Sequence, residues 1–206
     1  MNAPEVSIAR ALAALKAGEA VVYPTETVYA IGVDALSPAA LERLFAIKGR
    51  EIGKAVALIT DNAANAFSLA AKVPPAARKL AAAFWPGPLT LVLPARAGLP
   101  SPLIGPEGGV GVRVSPHRTA IELAARLGRP LTATSANLSG QPPAITIEQA
   151  RGAFAQHVAA YLDGGELGAS APSTVVAFDS AGKWHVIRAG AIAPGLLAAA
   201  LGESAQ

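Results

Sequence analysis

Apolar positions recur along the chain with two spacings, one helical and one extended. Ile8, Leu12 and Leu15 follow Asn2 and Pro4 at helical spacing, with Gly18 as a stop. The unbroken run Ala20-Val21-Val22-Tyr23 predicts a buried strand. Ser37-Pro38 then reads as an N-cap followed by proline at the first helical position, with Leu41, Leu44, Phe45 and Lys48 on one side and Gly49 at the end. Ala55–Ile59 predicts a second buried strand, and Asp61 and Pro74-Pro75 open two short helices, the latter reaching Phe84. WPGP leads into a strand at 89–93, and GVRV gives another. A helix is predicted over 117–127, followed by a strand from Pro130 to Ala133 that runs into TSANLSG. Thr146 and Gln149 match a capping box. Tyr161-Leu162, Ser173–Phe178 and Trp184–Arg188 read as closing strands, the last two as a hairpin across 179–182, before a helix at 194–201. This mixture predicts a single α/β domain over 1–206 with a twisted, open, mixed sheet and flanking helices.

Composition narrows the chemistry. The 206 residues are 52% hydrophobic, enough for a sizeable core. There is no cysteine, which excludes disulfides, thiolate nucleophiles and cysteine zinc sites. His117, His157 and His185 lie far apart without metal-ligand spacing. The N-terminus has no signal-peptide pattern, and no apolar run is long enough to span a membrane, so a cytoplasmic protein is expected. The net charge of +3 permits a polyanionic partner without requiring one.

Four groups of residues could carry chemistry. Thr25-Glu26-Thr27 leaves the first strand with two hydroxyls and a carboxylate, which suits either a turn or a polar pocket wall. Lys48, Arg50 and Lys54 cluster after a helix end; they can complement the helix dipole, or bind phosphate or carboxylate oxygens. Arg113 sits in an apolar strand, so it needs a carboxylate partner such as Glu26 or a place on a cleft. Residues 132–140, TATSANLSG, place hydroxyls and amides after a strand, where α/β proteins hold ligands. Ser135 lacks the elbow motif of a serine nucleophile. Together these groups suit a site that holds anions in line and stabilises charge.

PTETVYAIG, KGR, WPGPLTLVL, VRVSPH, TSANLSG and PSTVV…VIRAG also occur in the order found in the YrdC-like threonylcarbamoyl-AMP synthases, and the sequence resembles that family over roughly residues 6 to 190. It is similar to the short, single-domain form without the additional C-terminal domain of the longer one. The resemblance implies an open α/β sheet with a concave, positively charged face. It implies condensation of L-threonine, bicarbonate and ATP into threonylcarbamoyl-adenylate with release of pyrophosphate. Mg²⁺ is expected to arrive with ATP. Downstream threonylcarbamoyl-transferase proteins would then modify the adenosine beside the anticodon of tRNAs reading ANN codons, and tRNA itself is a further expected partner.

Carried over by motif, the resemblance places Thr27, Arg113 and Ser173 at threonine, with Arg113 on its carboxylate. Lys48 and Arg50 would be the catalytic clamp. Arg50, Lys54, Ser135, Asn137 and Arg188 would meet ATP. Ala30, Glu51, Ile59 and Ala177 depart from residues common in the family. The alternative reading is a double-stranded RNA or tRNA-binding module without catalysis, against which the 5% aromatic content offers few stacking platforms. A carbamoyl-adenylate enzyme of hydrogenase maturation would carry zinc fingers, which a cysteine-free chain cannot build.

Overall fold

The computed structural model describes residues 3–49, 56–168, 171–179 and 181–203. One sheet of nine strands organises them: β1 (Val21–Pro24), β2 (Tyr29–Gly32), β3 (Ala57–Thr60), β4 (Leu89–Pro94), β5 (Gly109–Val114), β6 (Leu131–Ser135), β7 (Ala160–Tyr161), β8 (Thr174–Phe178) and β9 (Trp184–Arg188). Their spatial order is β7-β1-β2-β6-β3-β5-β4-β8-β9. The β7/β1, β3/β5 and β4/β8 pairs are parallel and the others antiparallel, so the sheet is mixed and open. The helices are α1 (Ala3–Lys16), α2 (Pro38–Lys48), α3 (Ala63–Phe67), α4 (Pro75–Phe84), α5 (Arg118–Leu127), α6 (Ile147–Phe154) and α7 (Pro194–Leu201).

Local chemistry sets most boundaries. The Ser37 side chain accepts from the Ala40 N–H, proline follows it, and Gly49 closes α2 in the left-handed region at φ 57°. The capping box at Thr146 and Gln149 forms in both directions. Two helix starts differ from expectation by one residue. His117 is the cap of α5 rather than its first residue, because its Nδ1 accepts from the Thr119 N–H. Asn62, not Asp61, caps α3.

The larger difference is β2. The sequence pattern predicts only a strand exit at 24–32, whereas the chain turns back at 25–28 and pairs Tyr29–Gly32 with β1. Tyr29, Ala30 and Ile31 are all apolar and buried, Ala30 at the cavity wall, which erases the period-2 signal. Gly32 is required there: a Cβ on it would lie 2.4 Å from the Thr132 carbonyl oxygen and 2.8 Å from the Tyr23 ring.

Side-chain alternation divides the sheet into two faces. On one, Val22, Ile31, Leu58, Leu91, Val112 and Val176 form the main core under α2, α4, α6 and α7. On the other, Val21, Tyr23, Ile59 and Leu131 pack under α1 and α5. Those two helices pack on β7, β1 and β3 on that face. The part they leave open, from Ala30 on β2 across Ala133, Ala57, Gly111 and Thr90 to Arg188 on β9, lines the site cavity.

Candidate active site

The open face encloses a cavity of about 870 Å³. Its floor is made of small residues: Ala133 on β6, Ala57 on β3 and Gly111 on β5. The register aligns them, since Ala57 opposes Ala133, and a Cβ on Gly111 would rest 3.7–3.8 Å from the Ala57 Cα and Cβ. A second row carries charge. Leu91 opposite Val112 brings Thr90 level with Arg113; Thr90 opposes Val175 and Val175 opposes Arg188. Arg113 and Arg188 thus stand in one row on the same side of the sheet, both lining the cavity.

Both guanidiniums are held from behind. Arg113 is buried and donates through Nη1 to Glu26 Oε1. The Glu26 partner that the strand position called for is present, and Arg113 faces the cavity as well, so both expectations for it hold together. Arg188 donates through Nη2 to the Ser173 carbonyl at 2.8 Å and hydroxyl at 3.0 Å. The Ser173 hydroxyl also bonds Thr90 Oγ1 at 3.0 Å. Burial, and secondly the like charge of Arg113, lowers the Arg188 pKa from its ordinary value. Two cations lining one cavity favour an anion between them.

In the 25–28 turn both threonines line the cavity, and Thr25 also holds the turn. The Thr25 hydroxyl donates to the Val28 carbonyl at 2.6 Å and accepts from the Thr27 and Val28 N–H groups at 3.3 Å each, so it builds the turn. Thr27 lines the cavity, with its hydroxyl 3.2 Å from that of Thr25. Ser135 lines the cavity at the end of β6.

Lys48 and Asn137 differ from expectation. Lys48 is 4% exposed and does not line the cavity; its Nζ donates to the carbonyls of Ser135 at 2.6 Å and Asn137 at 2.8 Å. The Ser139 hydroxyl donates back to the Lys48 carbonyl at 3.2 Å. Its ammonium therefore ties the 135–139 loop to α2 rather than pointing outward. Asn137 is buried, and its Nδ2 donates to the Leu138 and Gln141 carbonyls at 2.9 and 2.6 Å. It lines a smaller neighbouring cavity of about 400 Å³ instead. Arg50, Glu51 and Lys54 lie outside the described residues. Of the departures from the family pattern, Ala30 lines the cavity, Ile59 is buried beside Arg113, and Ala177 is buried opposite His185.

Sequence reasoning missed Thr90, Ser115 and His185. The alternation of Leu89-Thr90-Leu91 marks Thr90 as facing away from the core. Ser115 is fully buried and donates to Glu26 Oε2 at 2.5 Å. His185 lines the cavity from β9. Among the described residues no group of three or more His, Cys, Asp or Glu side chains could hold a metal ion. No helix among them is long and apolar enough to cross a membrane.

An open mixed sheet with flanking helices and a cavity lined by small residues and two anchored guanidiniums defines the class: an α/β domain with a candidate anion site. The chain belongs to the Sua5/YciO/YrdC family, whose model, described as telomere recombination, matches residues 13–190. It is 39% identical over 198 residues to a Mycobacterium tuberculosis protein, covering 96% of this chain and 90% of that one. It is 39% identical over 171 residues to the threonylcarbamoyl-AMP synthase of Pseudoalteromonas translucida, covering 82% and 91%. Among solved structures, Pyrococcus abyssi Sua5 in complex with L-threonine superposes with a TM-score of 0.91 at 32% identity. That match covers 99% of this chain, which spans 60% of the Pyrococcus chain.

Proposed function

We propose that the protein is a threonylcarbamoyl-AMP synthase. It joins L-threonine, bicarbonate and ATP into L-threonylcarbamoyl-adenylate and releases pyrophosphate, for threonylcarbamoylation of tRNAs reading ANN codons by downstream transferase proteins. The observation that carries the reading is the pair Arg113 and Arg188 in one row over a floor of small residues, in a chain of this family. One guanidinium suits an amino-acid carboxylate and the other a nucleotide phosphate.

In this reading Arg113 binds the threonine carboxylate, and Thr27 contributes a hydroxyl beside it. The threonine amine takes up the bicarbonate carbon with loss of water. The resulting carbamate oxygen attacks the α-phosphorus of ATP as pyrophosphate leaves. Arg188, held by Ser173, neutralises nucleotide phosphate, and Ser135 offers a hydroxyl at the end of β6. Arg50 and Lys54 clamp phosphate oxygens on the strength of the family motif. Lys48 holds the loop that follows Ser135. Mg²⁺ enters with ATP and is carried mainly by phosphate oxygens, as a hard cation does at such sites. The RNA-module alternative is not favoured, because relatives of this length are named as synthases.

The test is direct. Purified protein is given ATP, labelled bicarbonate and each amino acid in turn. Pyrophosphate release dependent on threonine, with label appearing in an adenylate, is expected. Release that shows no preference among amino acids overturns the substrate assignment.

A further inference from the structure

We infer that Ser115 and Glu26 are positioning residues for Arg113, and through it for the carboxylate of the amino-acid substrate; the inference rests on the function proposed above. Arg113 and Ser115 are two residues apart at the end of β5, while Glu26 comes from the hairpin turn. Glu26 is gripped at both oxygens. Oε1 accepts from Arg113 Nη1, and Oε2 accepts from the Ser115 hydroxyl at 2.5 Å. The Ser115 oxygen in turn accepts from the His117 backbone N–H at 3.2 Å. His117 caps α5, so the series of contacts runs from a helix start to the cavity wall.

The terminal torsion of a glutamate is soft, and a carboxylate held at one oxygen can swing about it. Holding the second oxygen fixes its plane, and a guanidinium bonded to a fixed carboxylate is fixed too. Burial makes this effective, since Ser115 is 0% exposed and water does not reach it to replace the bond. Arg113 has five N–H donors. With one edge committed to Glu26, the remaining donors keep a constant direction into the cavity that Arg113 lines. Without Ser115 the ion pair persists, but the hydrogen bond that holds the second carboxylate oxygen is lost.

Ser115→Ala, Ser115→Thr and the unchanged protein are compared by steady-state kinetics and by calorimetric binding of threonine with a non-hydrolysable ATP analogue. Loss of one hydrogen bond corresponds to roughly a three- to tenfold rise in threonine KM and Kd for Ser115→Ala. The ATP KM and kcat should stay within about twofold, and Ser115→Thr, which keeps the hydroxyl, should recover most of the loss. If Ser115→Ala melts below the assay temperature, Glu26→Gln carries the test, with the same split between threonine and ATP expected. Threonine constants equal to those of the unchanged protein, or equal shifts in threonine KM, ATP KM and kcat, overturn the inference. If the unchanged protein binds threonine normally and the variant matches it, this inference alone falls. If the unchanged protein binds no threonine, the proposed function falls and takes this inference with it.

Discussion

The ammonium of Lys48 lies 2.6 Å from the carbonyl oxygen of Ser135. Lys48, read from the sequence as a helix-end cation, is 4% exposed and joins α2 to the loop that leaves β6. Lys48→Ala should lower stability by about 1–3 kcal/mol, because it removes a charge-assisted bond from the buried Asn137 carbonyl, while that of Ser135 keeps the Asn137 N–H. Activity should fall as well, since the loop after Ser135 loses its tether. Chemical denaturation and turnover measured together check this; an unchanged midpoint with turnover abolished would return Lys48 to a direct role on substrate.

Arg113→Lys separates anchoring from binding by degree. Lysine keeps a charge for Glu26 but loses the planar fork. Because Arg113 both pairs with Glu26 and lines the cavity, the melting temperature should drop and threonine should bind more weakly. Added threonine with ATP should recover part of the thermal loss. Thermal shift with and without both ligands is the measurement, and a drop that ligand does not touch would leave Arg113 a structural residue only.

Thr25 and Thr27 should respond differently to the same change. Thr27→Val leaves the turn bonds made by Thr25 in place. Its threonine KM should rise while the ATP KM and Tm move little. Thr25→Val removes the hydroxyl that bonds the Val28 carbonyl, so it should lower Tm. Kinetics and melting of the two variants side by side decide the point.

Two glycines on the sheet should also part company. Gly32→Ala drives a Cβ to 2.4 Å from the Thr132 carbonyl, a backbone atom with no room to yield, and should cost roughly 1–3 kcal/mol or more. Gly111→Ala meets only ordinary contacts at 3.5–3.8 Å, so stability should hold or rise by up to about 1 kcal/mol. Gly111→Leu, which fills the cavity floor, should abolish turnover while the protein stays folded. Urea titration and turnover of the three variants test this.

His117 gives a pH dependence. Burial lowers its pKa from the ordinary value of 6.5, with Glu26 acting the other way. The unfolded chain then binds the proton more readily than the folded one. The contribution of neutral His117 is present above pH 6.5 and is lost as pH falls from there through the lowered folded value. His117→Asn keeps a helix cap and removes the titration. Its Tm should fall less than that of the unchanged protein as pH is lowered below 6.5; parallel profiles would remove His117 as a source.

Much of this molecule is legible in the order of its residues. The cap at Ser37, the stop at Gly49, the capping box at Thr146 and Gln149 and the closing hairpin are local events, set by residues a few positions apart. So is the ambiguity of Arg113, since strand alternation alone requires for it a carboxylate or a cleft. The residue types of the site can likewise be read in order along the chain, because motifs are linear.

Contacts across the sheet decide the rest. β2 is hidden because Tyr29, Ala30 and Ile31 are all apolar and buried, and a strand without a polar face carries no period. Lys48 reads as a helix-end cation because its partners, the carbonyls of Ser135 and Asn137, lie 87 and 89 residues away. Ser115 becomes a ligand of Glu26, and Thr90 of Ser173, only through strand order and register. Which residues form helices and strands, and which carry charge, follows from short-range sterics and burial period and can be read along the chain. Which of those charges face the cavity, and which are spent holding it in shape, follows from the nine-strand order, because long-range pairing alone brings such residues within bonding distance.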